Sequence, residues 1–169
     1  MGCGVGSLIE LLINPNGDKR IPANVHRGFR VYEHEHARLI QEAKYSIVIA
    51  VPFISDWGWQ WLQSNLEINQ NSPQIYLLFR EIRNRPPKKI ILHNRIHIRT
   101  YNKLSGTGVY TFHFKSTVKD NDEAIVGSQN LNLSSLDSNL EMGILLSNNY
   151  ARRIKKLLMR YWEVSDDYS

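Results

Sequence analysis

Ser46–Val51 reads SIVIAV, a continuous apolar and largely β-branched run. A strand with one wet face alternates apolar and polar side chains, whereas an unbroken run of this kind suits a strand covered on both faces. That requirement constrains the fold, because the chain must then supply helices for either side of a sheet. It offers candidates at once. From Glu33 to Lys44 the residues Ala37, Ile40 and Ala43 recur at helical spacing, and Ser55 or Asp56 can cap a second helix running to about Asn69. Gln74–Phe79 (QIYLLF) is a second buried-strand candidate.

The rest of the chain extends this pattern. Ser7 and Glu10 have capping-box spacing around Leu8, Ile9, Leu11 and Leu12, which predicts a short helix stopped by Asn14-Pro15-Asn16-Gly17. Residues 15–28 are polar and turn-rich and read as a loop. Arg80–Lys89 is basic, carries Pro86-Pro87 and reads as another loop. Ile90–Leu92 and Ile96–Thr100 are predicted as short strands, with a flexible turn over Leu104–Gly108. Val109–Val118, Glu123–Val126 and Glu141–Leu146 are predicted as three further strands. Ser147 then caps a last helix, with Ala151, Ile154, Leu157, Leu158 and Tyr161 on its core face and Arg152, Arg153, Lys155, Lys156 and Arg160 on its wet one. The expectation is an α/β fold, a mixed β-sheet flanked by helices on both faces. Residues 1–29 read as an N-terminal arm with a short helix, and residues 30–169 as a single domain.

The 169 residues suit one domain, and 42% hydrophobic with 22% charged residues exclude wholesale disorder. The single Cys3 rules out an internal disulfide and a Cys-based zinc site. Twenty-one basic against 16 acidic residues give a net charge of +5, which favours anionic partners such as nucleic acid or acidic headgroups. No apolar run reaches the roughly 18–20 residues of a membrane span, and no basic stretch opens a secretory signal. The expectation is therefore a cytoplasmic protein without stable membrane association. Met1-Gly2-Cys3 hints at lipidation, but Gly6 stands where the myristoylation pattern wants Ser or Thr, and the start reads as a flexible one.

One segment carries chemistry. His113-Phe114-Lys115 is followed by Asp120 and then by Gly127-Ser128-Gln129-Asn130, the pattern H-x-K-x4-D-x6-G-S-x-N. Six specified residues at fixed offsets are far more specific than a lone H-x-K-x4-D. The pattern resembles the signature of the phospholipase D superfamily, the HKD phosphodiesterases, over residues 30–162. Glu141 adds to the match, since small nucleases of that superfamily carry a carboxylate at this place that holds the catalytic His.

The chemistry can be read without the family. Hydrolysing an anionic phosphodiester needs a nucleophile, an acid for the leaving alkoxide, and cations or donors for the other oxygens. Imidazole can be nucleophile or acid near neutral pH. His113 and Lys115 lie two apart, so on a strand both point to one face. Ser128 and Asn130 are also two apart and could donate to the same phosphate, while Glu141 could accept the His113 N–H. The cations are built in, so no metal and no cofactor is required. The resemblance implies the rest: a covalent phosphohistidine on His113, Lys115 and Asn130 on the non-bridging oxygens, and Asp120 as a support for the motif. Only one such motif is present, so the second His must come from another copy. The resemblance implies a homodimer with the active site at its interface. One departure stands out. Ser116, Thr117, Val118 and Lys119 are more polar than is usual there, which predicts a strand less buried or nearer an edge.

The weaker signals are Trp57 and Trp59 after a predicted strand, which could stack on bases, and Arg80, Arg83 and Arg85, which could guide a polyanion. Trp61 with Leu62 and Leu66 reads as core packing. His34 and His36 diverge on a helix, so Glu33-His34-Glu35-His36 reads as a solvated helix start. His93 and His97 read as structural. The expected function is a metal-independent endonuclease acting on DNA rather than RNA. Two alternatives stand beside it, a phospholipase D or phosphatidyltransferase and a nucleic-acid-binding module with vestigial chemistry. Phe112, Phe114 and Tyr110 are too few for the apolar rim that the lipid reading wants.

Overall fold

Ser46–Val51 is the strand the sequence demanded, buried at all six positions. The computed structural model of the protein describes residues 8–14, 29–80, 82, 85–91, 94–105, 108–111 and 113–168. In chain order these form β1 (Ile9–Asn14), β2 (Arg30–Val31), α1 (Tyr32–Glu42), β3 (Ser46–Val51), α2 (Asp56–Ile68), β4 (Gln74–Phe79) and α3 (Lys88–Ile91). There follow β5 (Ile96–Thr100), β6 (Asn102–Ser105), β7 (Gly108–Thr111), β8 (Lys115–Lys119), β9 (Glu123–Gly127), β10 (Glu141–Ser147), α4 (Asn149–Glu163) and β11 (Asp166–Asp167). The main sheet runs β11-β5-β4-β3-β8-β9-β10-β1-β2, and β6 and β7 pair as a separate hairpin. It is mixed: β3, β4 and β5 are parallel, β8, β9 and β10 meet their neighbours antiparallel, and β1 is antiparallel to β10 but parallel to β2.

Both faces carry helices, as the apolar run required. On one face α1 and α2 bury Ile40, Trp59 and Leu62 against Ile47, Ile49, Leu77 and Phe79. On the other, α4 lays Ala151, Leu158 and Trp162 on Val48, Ala50, Leu78, Val118 and Ala124. Ser55 caps α2 by accepting from the Gly58 N–H, and Asn69 closes the helix.

Several expectations change. Residues 9–12 do not form a helix. They belong to β1, which pairs along its whole length with β10, and tertiary pairing overrides the local capping signal. Ile90 lies in the single helical turn α3 rather than in a strand. The long strand expected over Val109–Val118 is divided into β7 and β8. α4 begins after Asn148, not Ser147, which ends β10, and Leu157 is 51% exposed instead of core-facing. The Ser7 cap, the Met1–Gly6 start with Cys3, the loop over 15–28, Arg83, His93, Gly106–Thr107 and Phe112 lie outside the described residues.

The largest departure is β8. It is not an edge but the central strand of nine, buried at all five positions. Its polar groups are partnered internally. Ser116 Oγ donates to the Ile125 carbonyl at 3.0 Å, and Thr117 Oγ1 lies 2.6 Å from His36 Nε2. Lys119 pairs with Glu123, which also takes Arg38 Nη2 at 2.7 Å. His36 is therefore buried at 3% exposure rather than part of a solvated helix start, and only His34 is exposed. Burial would raise the Glu123 carboxyl, but the hydrogen bonds from Arg38 and Lys119 outweigh it and hold the group at about 2.

Burial pushes the His36 imidazole down to about 4. Its folded value lies below the ordinary 6.5, so the unfolded chain binds the extra proton and the fold does not. The stabilising contribution is complete above 6.5 and is lost as pH falls from 6.5 towards 4, by up to about 3 kcal/mol. Urea denaturation from pH 7 to 4.5 should show stability falling with pH, and His36→Gln should flatten that slope.

Candidate active site

The parallel strands β3 and β4 end at Val51 and Phe79, and antiparallel β8 begins beside the end of β3, where Ala50 pairs with Ser116. β9 ends and β10 begins at the same edge, with Gly127 paired both to Lys115 and to Gly143. Ligands of open α/β sheets gather at such a carboxyl edge. The sequence-predicted His113, Lys115, Ser128, Asn130 and Glu141 all lie there.

His113 precedes β8 and is exposed, while Lys115 opens the strand and is 6% exposed. Phe114 between them turns to the opposite face and packs on Tyr161 of α4 at 5.6 Å. Period-two alternation thus aims His113 and Lys115 together. Lys115 Nζ lies 3.0 Å from His113 Nδ1, 3.4 Å from Nε2 and donates to the His113 carbonyl at 3.1 Å. Burial pushes the Lys115 ammonium below its ordinary range, Glu141 opposes that shift and Arg80 adds to it. Arg80 is therefore close enough to act on the site, and its guanidinium sits 4.1 Å over the Phe53 ring.

Ser128 is exposed and joins β9 to β10. Its N–H donates to the Met142 carbonyl at 3.0 Å, and its hydroxyl donates to Glu141 Oε2. Glu141 is 7% exposed and takes a second, longer contact from Asn139 Nδ2 at 3.5 Å. Its carboxylate thus faces Ser128 and Asn139, and the expected pairing with the His113 imidazole is not formed in this structure. Among the described residues the buried amide oxygen of Asn130 has no hydrogen-bond partner.

Sequence reasoning missed the support beneath these groups. Tyr32 opens α1 at 2% exposure, and its ring lies against Gly127 and Gly143. A Cβ at Gly143 would come within 2.0 Å of Tyr32 Cε2, and one at Gly127 within 2.5 Å of its hydroxyl. Burial and then Glu141 drive that hydroxyl well above its ordinary range, so it stays protonated next to the carboxylate. The glycine of G-S-x-N and the glycine two residues after Glu141 were the available signal. Past Asn130, a π-helical turn at Ser134–Ser138 links the motif to Glu141. Its carbonyls are taken by Asn14 Nδ2, at 3.3 Å to Ser135 and 3.1 Å to Leu136, and by Gln129 Nε2, at 3.0 Å to Ser135.

Other candidates fall elsewhere. Asp120 sits at the far end of β8, about 16 Å along the strand from Lys115. Its carboxylate accepts the backbone N–H groups of Lys44, Tyr45 and Ser46 at 3.0, 2.7 and 2.8 Å. It pins the α1–β3 turn and stands away from His113 and Lys115. Trp59 is fully buried against Phe79, so it cannot stack on a substrate. Trp57 is half-buried against the same core, as is Trp61, and Arg85 is exposed. His97 of β5 stacks on Tyr76 of β4. Among the described residues no group of three or more His, Cys, Asp or Glu could hold a metal ion.

The family model described as cardiolipin synthase, PLD-like domain, matches residues 37–162. No curated protein matches by sequence. Among solved structures, NucT from Helicobacter pylori is similar at a TM-score of 0.71 and 13% identity, over 96% of this chain and 100% of that one. Nuc from Salmonella typhimurium, a phospholipase D family member, follows at 0.65 and 18%, over 96% and 99%. TrmBL2, an archaeal chromatin protein with a novel mode of DNA binding, is similar at 0.58 and 15%, over 99% of this chain and 57% of that one.

Two substitutions separate the site from its supports. Gly143→Ala should destabilise the protein by about 1–3 kcal/mol, because neither the buried Tyr32 ring nor the strand can yield. Asp120→Ala should cost about 3 kcal/mol by stranding three amides. Activity per folded molecule should nevertheless hold in Asp120→Ala, as urea midpoints and turnover measured together will report.

Proposed function

The chain belongs to the PLD-like domain family and is a phosphodiesterase of the phospholipase D superfamily, and we propose that it is an endonuclease that cleaves DNA phosphodiesters through a covalent phosphohistidine, with the active site completed by a second copy. The observation that carries this reading is the imidazole of His113 held 3.0 Å from the Lys115 ammonium at the carboxyl edge of the sheet. An imidazole supplies the nucleophile, and a largely buried ammonium beside it supplies the charge that a phosphorane needs.

The steps follow from these groups. A phosphodiester enters with its non-bridging oxygens towards Lys115, Asn130 and Arg80. An unprotonated His113 nitrogen attacks phosphorus, forming a P–N bond as the P–O bond to the leaving group breaks. The leaving alkoxide takes a proton from the imidazolium of His113 of the partner subunit. Water then gives a proton back to that imidazole and attacks phosphorus, and the P–N bond breaks to free the first His113. Ser128 and Glu141 shape the wall of the site, with Glu141 offsetting the cationic charge. Because Lys115 and Arg80 carry the positive charge, the reaction needs no metal. DNA is supported by the net charge of +5, by the exposed Arg85, and by the likeness to a DNA-binding chromatin protein.

The description of the matching family as cardiolipin synthase favours one second reading, phosphatidyl transfer on lipid headgroups. No helix among the described residues is long and apolar enough to cross a membrane.

Single- and double-stranded DNA, RNA, a generic phosphodiester and phospholipid vesicles should be offered in excess EDTA. The expected result is DNA cleavage that survives EDTA and falls by about three orders of magnitude or more in His113→Ala. Lys115→Met should lose about 10²–10³-fold in kcat. Cleavage that requires a divalent metal or persists without His113 overturns the mechanism, and headgroup release without DNA cleavage overturns the substrate. Binding without turnover of any substrate would leave the chain a nucleic-acid-binding module.

A further inference from the structure

α4 presents its outer face as a row of cations. Arg152, Lys156 and Arg160 recur at four-residue spacing, so they share one side of the helix, and Arg153 flanks them. All four are exposed, whereas Ala151, Leu158 and Trp162 are buried against the sheet. Among the described residues none of these four side chains is in an ion pair. α1 treats such a residue differently, since Arg38 is matched by Glu35 and Glu42 on its own helix. The arrangement works against α4 itself. Like charges four residues apart repel, and the first turn holds no acid where the helix dipole favours one. Glu163, in the last turn, is the single acid of the helix. The fifth cation, Lys155, is spent inside the fold, where its ammonium donates to Ser46 Oγ and to the Asp120 carbonyl, both at 2.7 Å.

We propose that the outer face of α4 is a track for the backbone of a DNA strand on its way to His113. The inference rests on the reading that the site cleaves DNA and deepens it by naming where the flanking strand lies. Charge complementarity chooses the occupant, because a backbone of evenly spaced phosphates meets an even row of free guanidinium and ammonium groups. Continuity with the site supports it. α4 starts at the Asp120 end of the sheet, where the Asn148 N–H donates to the Asp122 carbonyl at 2.7 Å. It finishes beside the catalytic groups. Arg160 immediately precedes Tyr161, whose ring packs 5.6 Å from Phe114, the residue between His113 and Lys115. From Arg152 to Arg160 the row is about 12 Å long. A strand lying along it reaches the imidazole with part of its backbone already bound. An acidic membrane fits less well, because α4 has turned its apolar side onto Val48, Ala50, Leu78, Val118 and Ala124. Of its large apolar side chains only Tyr150 and Leu157 are exposed.

Equilibrium binding of labelled single-stranded DNA, about 16 and about 4 nucleotides long, tests this over a series of salt concentrations in EDTA. The full-length protein carries His113→Ala, so that cleavage does not consume the probe. It is compared with the same chain bearing Arg152→Gln, Lys156→Gln and Arg160→Gln together. Gln is a good helix former, and the three positions are exposed. Circular dichroism checks the fold, and Lys156→Gln alone stands in for a triple variant that misfolds. The triple variant should bind the long strand at least about tenfold more weakly and lose most of its preference for long over short. Its slope of log affinity against log salt should be shallower by about 2, from three contacts at about 0.7 each. Lys89→Gln removes a cation from α3, whose Ile90 packs on the α1 and α2 side, and should leave the slope unchanged. An equal loss in Lys89→Gln and Lys156→Gln makes the effect one of net charge and overturns the track. So does a triple variant that binds the long strand with wild-type affinity and slope. Capture of acidic phospholipid vesicles that the triple variant loses, without DNA binding, makes the face a membrane contact and also overturns the proposal. DNA that is bound through the row but left uncut when His113 is intact supports the track and strikes the endonuclease reading alone.

Discussion

Everything in this fold answers to the burial of one polar strand. Lys115, Ser116, Thr117, Val118 and Lys119 form the middle of a nine-stranded sheet and are all withdrawn from water. A buried polar group without a partner costs more than a satisfied one contributes, so each of these residues dictates its neighbours. Thr117 requires His36 from α1, and Lys119 requires Glu123, which in turn is shared with Arg38. The position of α1 on the sheet is thereby set by hydrogen bonds as well as by apolar contact. The same strand leaves its first cation, Lys115, beside an imidazole at the open edge, where it can meet an anion.

The H-x-K-x4-D motif is accordingly two devices on one strand. Its His and Lys stand at the carboxyl edge of the sheet, and its Asp closes the other end by collecting three backbone amides. Asp120 adopts a left-handed φ of 52° that turns the chain there, and Lys155 donates to its carbonyl at 2.7 Å, tying α4 to the same turn. The spacing between the two ends is the length of a buried strand, which is why chemistry and architecture share a single stretch of sequence.

Fold and site were legible to different depths. SIVIAV announced a two-sided sheet, because an unbroken apolar run has few other homes, and period-two alternation placed His113 and Lys115 on one face. β1 was misread because capping signals and apolar residues at 8–12 are local, whereas its pairing partner lies in β10 and leaves no local trace. β8 was misplaced because polarity was read as exposure, and the partners that make a buried Ser, Thr or Lys tolerable come from α1 and β9. Trp59 was ambiguous for the same reason: its spacing does not say which face of α2 meets Phe79. Tyr32 was invisible, since only the structure lays it across Gly127 and Gly143.

The place of β1 also sets a timetable. Its partner β10 follows it by well over a hundred residues, and its last residue, Asn14, carries the carbonyls of the turn that leads to Glu141. At about 5–20 residues per second, a ribosome releases β10 on the order of ten seconds after β1. Through that interval β1 has only the two-residue β2 to pair with, and a contact of such long range is slow to close even when both halves exist. A nascent chain can thus hold its central sheet while the turn that leads to Glu141 is still unfinished, and that turn is completed only when a strand made early is fitted late.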